Sequence, residues 1–173
     1  LFVIILLSFL FNQNLEWSQN WQGGIFNGID NCNDGGYVLT GTKNDSLWVL
    51  KTNLSGNQIW NKTFSFTDSM TGYAIKQTND NGYIIAGESY YETARIGGFL
   101  LKLDFEGNEE WHYFYENIDR IISVNETNDG GFIFTGWYWN SPSLEENLSW
   151  CTLPLIKVDY SGNIIWINSV QNS

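Results

Sequence analysis

Three lysines occupy matching places along the chain: Lys51, Lys102 and Lys157 each close an apolar run and stand two residues before Asn53, Asp104 or Asp159. A lysine among apolar residues is the kind of amine whose pKa falls far enough to make it a nucleophile. Its occurrence in triplicate favours a structural reading, with the stem along apolar surface and the ammonium near an aromatic face. A Ser-His-Asp site would have to use His112, the only histidine, which sits beside Trp111. One histidine also cannot build a His-rich zinc site. Glu109-Glu110 and Glu145-Glu146 are adjacent carboxylates. Glycoside hydrolysis needs two carboxyls facing each other across a bond, whereas neighbours on a strand point to opposite sides.

The stretch "DNCNDG" (residues 30–35) resembles the start of a calcium loop. Cys32 stands at its third place and Gly41 at its twelfth, so the ligand pattern fails. A phosphate loop needs Gly-Lys followed by a helix, and a strand pattern follows here. Another group of candidates is Glu88, Tyr90, Tyr91, Trp137, Tyr138, Trp139, Glu145, Glu146 and Trp150. Its aromatic faces suit stacking on sugar rings, with the carboxylates accepting hydroxyls. The competing reading is that these aromatics cover strand ends and one another. No metal or cofactor is expected from these residues.

The elements that must carry these groups come from an internal repeat. "NDGGYVLTG", "NDNGYIIAG" and "NDGGFIFTG" begin at Asn33, Asn79 and Asn128, and their second glycines are Gly36, Gly82 and Gly131. Each is followed by a second block, "VLKTNLSGNQIW", "LLKLDFEGNEEW" or "LIKVDYSGNIIW", which ends at Trp60, Trp111 or Trp166. Each unit reads as four short strands rich in β-branched and aromatic residues, bounded by Gly, Asn and Asp. The Asx-Gly steps predict type I′ hairpins, with Asn81-Gly82 supplying the same chemistry one position later. Gly41, Gly87 and Gly136 predict a bulge or close backbone approach. Gly56, Gly107 and Gly162 close a second turn that Asn53, Asp104 and Asp159 cap. From second glycine to Trp the units measure 24, 29 and 35 residues, and from Gly41, Gly87 and Gly136 to the lysines 10, 15 and 21. The growth therefore falls between strands two and three.

Four-stranded units of this length suit propeller blades. The three blocks resemble the repeats of secreted bacterial and archaeal β-propeller proteins, and "KLDFEGNEEW" (residues 102–111) is similar to the tryptophan-docking motif of quinoprotein-type propellers. The resemblance spans residue 15 to about 170 and implies an all-β, propeller-like array of three four-stranded antiparallel blades. It implies no activity, since one fold hosts many functions. The expected organisation is a leader over 1–14, a lone outer strand over 15–24, and blades over 25–66, 67–117 and 118–173. Three units fall short of a closed ring of about 4–8 blades, so further blades are expected from a longer chain. Trp60, Trp111 and Trp166 are expected between blades, each indole N–H on a backbone acceptor.

Net charge is −11, from 19 acidic against 8 basic residues, which argues against nucleic acid and anionic lipid as partners. "LFVIILLSFLF" (residues 1–11) is too short to span a bilayer and fits the apolar core of a secretory signal. Cys32 and Cys151 are not a disulfide framework, and Cys32 aligns with Thr78 and Thr127 as a small filler. The chain reads as a secreted or cell-surface protein without catalysis, serving binding or scaffolding, with a glycan or protein partner. The alternatives are a carbohydrate-active enzyme of glycoside-hydrolase type or its sugar-binding accessory part, and a quinoprotein-like dehydrogenase.

Overall fold

The computed structural model describes residues 18–92, 94–139, 151–152 and 154–169. Its strands are β1 (Gly24–Asn31), β2 (Tyr37–Lys43), β3 (Ser46–Thr52), β4 (Gln58–Phe64), β5 (Ser69–Gln77), β6 (Tyr83–Tyr91), β7 (Ala94–Leu103), β8 (Glu109–Tyr115), β9 (Arg120–Glu126), β10 (Phe132–Trp139), β11 (Cys151–Thr152), β12 (Pro154–Val158) and β13 (Ile164–Ser169). They form three antiparallel sheets ordered β1-β2-β3-β4, β5-β6-β7-β8 and β9-β10-β12-β13, with β11 extending the third beside β10. The protein is thus all-β, with three propeller-like blades. Of the expected outer strand over 15–24, residues 18–23 carry no strand and Gly24 opens β1, while 15–17 lie outside the described residues. The leader over 1–14 lies outside them too.

The blades stack through alternate faces of their middle strands. Tyr83, Ile85, Phe99 and Leu101 of blade 2 pack on Val38, Leu47 and Val49 of blade 1. The residues between them, Ile84, Ala86 and Leu100, pack on Phe134, Ile156 and Val158 of blade 3. Period-two alternation therefore buries both faces of one sheet, which is why these strands read as unbroken apolar runs. The buried aliphatic and aromatic area supplies the main stabilisation, about 25 cal/mol per Å².

The repeated glycines do two different jobs. A Cβ on Gly41, Gly87 or Gly136 would come within 3.0 Å of the carbonyl oxygen of Ile25, Thr71 or Arg120. Each faces a bulge on the first strand, where Asn27, Tyr73 or Ile122 is the extra residue, so both close approach and a bulge are present. The hairpin turns differ from the type I′ expectation. Only one residue per turn has positive φ: Gly35, Asn81 and Gly130, at 80°, 66° and 79°. The Gly35 amide donates to Cys32 O at 2.8 Å and the Cys32 amide to Gly36 O at 2.9 Å. This is a three-residue loop of type I followed by one left-handed residue. Asn81 thus stands at the same position as Gly35, not one later. The two-residue turn with both φ positive lies instead at Asn44–Asp45, between β2 and β3.

The growing segment is not a loose loop in blade 2. There β6 and β7 lengthen and pair out to Tyr91↔Ala94. In blade 3 the pairing Tyr138↔Thr152 and Trp139↔Cys151 lengthens the same arm. The free thiol of Cys32 lies at the first-hairpin end of its blade and Cys151 at the far end of β10.

Candidate functional site

Each repeated lysine is buried, and its ammonium is held by the first-hairpin aspartate of its own blade. Lys51 Nζ donates to Asp34 at 2.7 Å, Lys102 to Asp80 at 2.8 Å and Lys157 to Asp129 at 3.0 Å. Each also donates to the carbonyl of the next residue, Thr52, Leu103 or Val158. The expected cation over an aromatic ring is real at Trp60, but the cation is Lys62, not Lys51. Burying an amine without a partner is costly, and the turn supplies one. The type I geometry makes this possible, because Asp34 keeps a right-handed backbone and turns its carboxylate back to accept from Gly36 N at 2.8 Å.

These contacts set the protonation states. The Lys51 hydrogen bond leads in holding the Asp34 carboxyl below its ordinary value. For Asp80, burial is the largest influence and pushes upward, but Lys102, Thr78 and the Gly82 amide together hold the carboxyl low. Asp129 is held lower still by Thr127 first and Lys157 second. Cys32 replaces those threonines in blade 1, and burial pushes its thiol up to about 11. The lysines are thus counter-ions in a structural latch.

Directly across from each lysine stands the repeated tryptophan: Lys51↔Trp60, Lys102↔Trp111 and Lys157↔Trp166. Trp60 packs on Gly107 and edge-on to Tyr83 of blade 2, with ring centroids 5.6 Å apart. Trp111 packs on Gly162 and lies 5.8 Å from Phe132 of blade 3. The expected packing between blades is therefore present at both junctions. Trp166 shares the register and is 42% exposed.

A bulge in the outer strand precedes each tryptophan, making Ile59, Glu110 and Ile165 the extra residue. A bulge re-aims a side chain, and in blade 2 it brings Glu110 to the same side as Lys102. Glu110 uses that aim to bond Lys102 at 3.0 Å, while its neighbour Glu109 bonds His112 Nδ1 at 2.7 Å. His112 also stacks on Phe66, with centroids 4.0 Å apart.

Between blades 1 and 2 the latches border a cleft of about 640 Å³. Its apolar wall is Trp60, Tyr83, Ile59 and Phe105, the last two 54% and 64% exposed. Its polar wall includes Asp34, Asp80, Asn33 and Gln77. Gln77 Oε1 accepts from Asn33 N at 2.7 Å, tying the turn of blade 1 to the inner strand of blade 2. Glu126 repeats that link by accepting from Asn79 N at 2.7 Å. Asp34 was weighed as part of a calcium loop and Glu110 as half of a carboxylate pair, but neither as a partner of a repeated lysine. One Lys and one Asp repeat in every unit, and a buried cation needs an anion, so the pairing was readable in principle.

The candidates on the lengthening arm fall at the opposite blade end. Glu88 is buried, accepting from Arg120 Nε at 2.9 Å and Nη2 at 3.1 Å, and from the hydroxyls of Tyr73 and Tyr90. Burial and then Glu88 push the Tyr73 hydroxyl up to about 12. Tyr91 and Trp137 are 57% and 51% exposed. Tyr138 and Trp139 are described by backbone alone, and Glu145, Glu146 and Trp150 lie outside the described residues.

The fold and latches define a propeller-like blade array. No protein-family model and no curated protein matches the sequence. Among solved structures, the chain is similar to a protein of unknown function from Bacteroides caccae, at 10% identity, covering 89% of this chain and 70% of that one, with a TM-score of 0.37. A likeness at that level carries no functional argument.

Proposed function

We propose that this is an exported propeller-type repeat protein that works by binding or scaffolding rather than by catalysis. The observation that carries the reading is the use of the repeated charges. Lys51, Lys102 and Lys157 are each spent on an aspartate of the adjacent hairpin, so the groups best suited to nucleophilic chemistry hold turns together. What is left at the blade junction is a cleft of aromatic wall and anchored acceptors, the composition of a binding surface. The apolar segment over 1–11 supports export.

The test is turnover against binding on the same preparation. The protein is incubated with a panel of polysaccharides, and separately with alcohols and sugars plus quinone and calcium. Saturable binding without product supports the reading. Product formation in either arm, lost with a point substitution in this chain, sinks it.

A further inference from the structure

We infer that the cleft between blades 1 and 2 is a saccharide site, a deepening that rests on the binding reading above. One ring of the ligand lies against Phe105 and the edge of Trp60, and its hydroxyls donate to Asp34 and Asp80.

Three observations point to this ligand class. The cleft joins flat apolar surface to acceptors on facing walls, which matches a pyranose with one apolar face and hydroxyls around its rim. The acceptors are fixed in advance: Asp34 is anchored by Lys51 and the Gly36 amide, Asp80 by Lys102, Thr78 and the Gly82 amide. Little ordering entropy is then lost on binding. Charge decides between a neutral and a cationic ligand. Lys51 pairs with Asp34, and Lys102 pairs with Asp80 while also meeting Glu110 outside the cleft lining, so of the lining carboxylates Glu106 is the one without such a lysine. An ammonium group gains less from acceptors that already hold a lysine, whereas neutral hydroxyls still find their free lone pairs. The cleft volume of about 640 Å³ falls within the range of small-molecule sites.

Ile59 keeps the cleft apolar where blade 2 has Glu110. The substitution Ile59→Glu therefore installs a contact the fold already tolerates, a carboxylate reaching across to the buried lysine.

Isothermal titration of the full chain with neutral cello-, manno- and xylo-hexaose, and with pentalysine as cationic control, tests the inference. A saturable isotherm is expected with at least one hexaose and none with pentalysine. Ile59→Glu weakens that binding at least tenfold with an unchanged melting temperature, and Phe105→Ala weakens it by about tenfold through lost stacking. Absence of binding by all three hexaoses overturns the saccharide assignment. So does a hexaose isotherm unmoved by both substitutions, or one lost only on Trp137→Ala, which moves the site to the hairpin arm. Pentalysine binding that Ile59→Glu alters also overturns the saccharide class, while leaving the binding reading intact.

Discussion

The junctions between blades 1 and 2 and between blades 2 and 3 share one framework and differ in a handful of side chains. Each has a buried lysine latched to a hairpin aspartate, and a tryptophan seated on the next blade's glycine turn. At the first junction the bulge residue is Ile59 and the lysine meets Asp34. At the second it is Glu110, and the lysine meets both Asp80 and Glu110. Gln77 at the first junction is matched by Glu126 at the second, and Phe105 by Tyr160. The repeat therefore fixes the framework of each junction, and single non-repeated residues decide its chemistry.

That comparison can be strained from both sides. The largest effect is expected from the docking residue: Trp111→Ala costs about 3 kcal/mol, since it empties a large apolar contact between blades, whereas Trp166→Ala, with an exposed ring, costs under about 1 kcal/mol. Urea unfolding of the two variants measures the gap, and equal losses would remove the idea that docking carries the energy.

Next in size, Asp34→Ala strips Lys51 of its carboxylate and costs about 2 kcal/mol, below the usual cost of a broken buried pair because the aspartate side is solvated. Asp80→Ala costs about 1 kcal/mol, because Glu110 stays on Lys102. The double variant Asp80→Ala with Glu110→Ala should then lose more than the sum of the singles. Additive losses would show that the second carboxylate does not substitute for the first.

Acid comes third. Asp34 and Asp80 have folded-state pKa values below the ordinary one, so their contribution is complete above about pH 3.9 and is lost as pH falls through the lower folded values. Stability measured from pH 5 downward should fall in the native chain and fall less in Asp34→Asn, which has nothing to protonate there. A parallel decline in both would place the titration elsewhere.

The smallest effect is expected from Glu110→Ile, which makes the second junction resemble the first. Stability should change by about 0.5 kcal/mol or less, since the glutamate is partly exposed and Asp80 remains. Altered amide shifts around Lys102 and Trp111, as the carboxylate leaves the lysine, are the readout.

Much of this was legible in the residues. The unit length, the strand count, the inter-blade tryptophans and the close approach at Gly41, Gly87 and Gly136 follow from spacing, because backbone periodicity and turn geometry are local. The turn type at Asp34-Gly35 was misread because Asx-Gly serves a two-residue and a three-residue loop alike, and only the φ of Asp34 tells them apart. Spacing placed the growth between strands two and three, but not that in blade 2 its residues pair as a longer hairpin. Glu88 illustrates the same limit: its place was evident, its partner Arg120 was not, being a strand of another blade away.

The sequence by itself determined the repeat, the antiparallel four-strand unit and the positions where glycine and tryptophan are required, since each depends on contacts within a unit or between equivalent ones. Tertiary structure alone decided the pairing of Lys51, Lys102 and Lys157 with the hairpin aspartates, the bulges at Ile59 and Glu110 with the contact of Glu110 to Lys102, and the cleft between blades 1 and 2. Those outcomes depend on which side chains meet across a buried gap, and burial makes an ion partner obligatory without naming it in the local pattern.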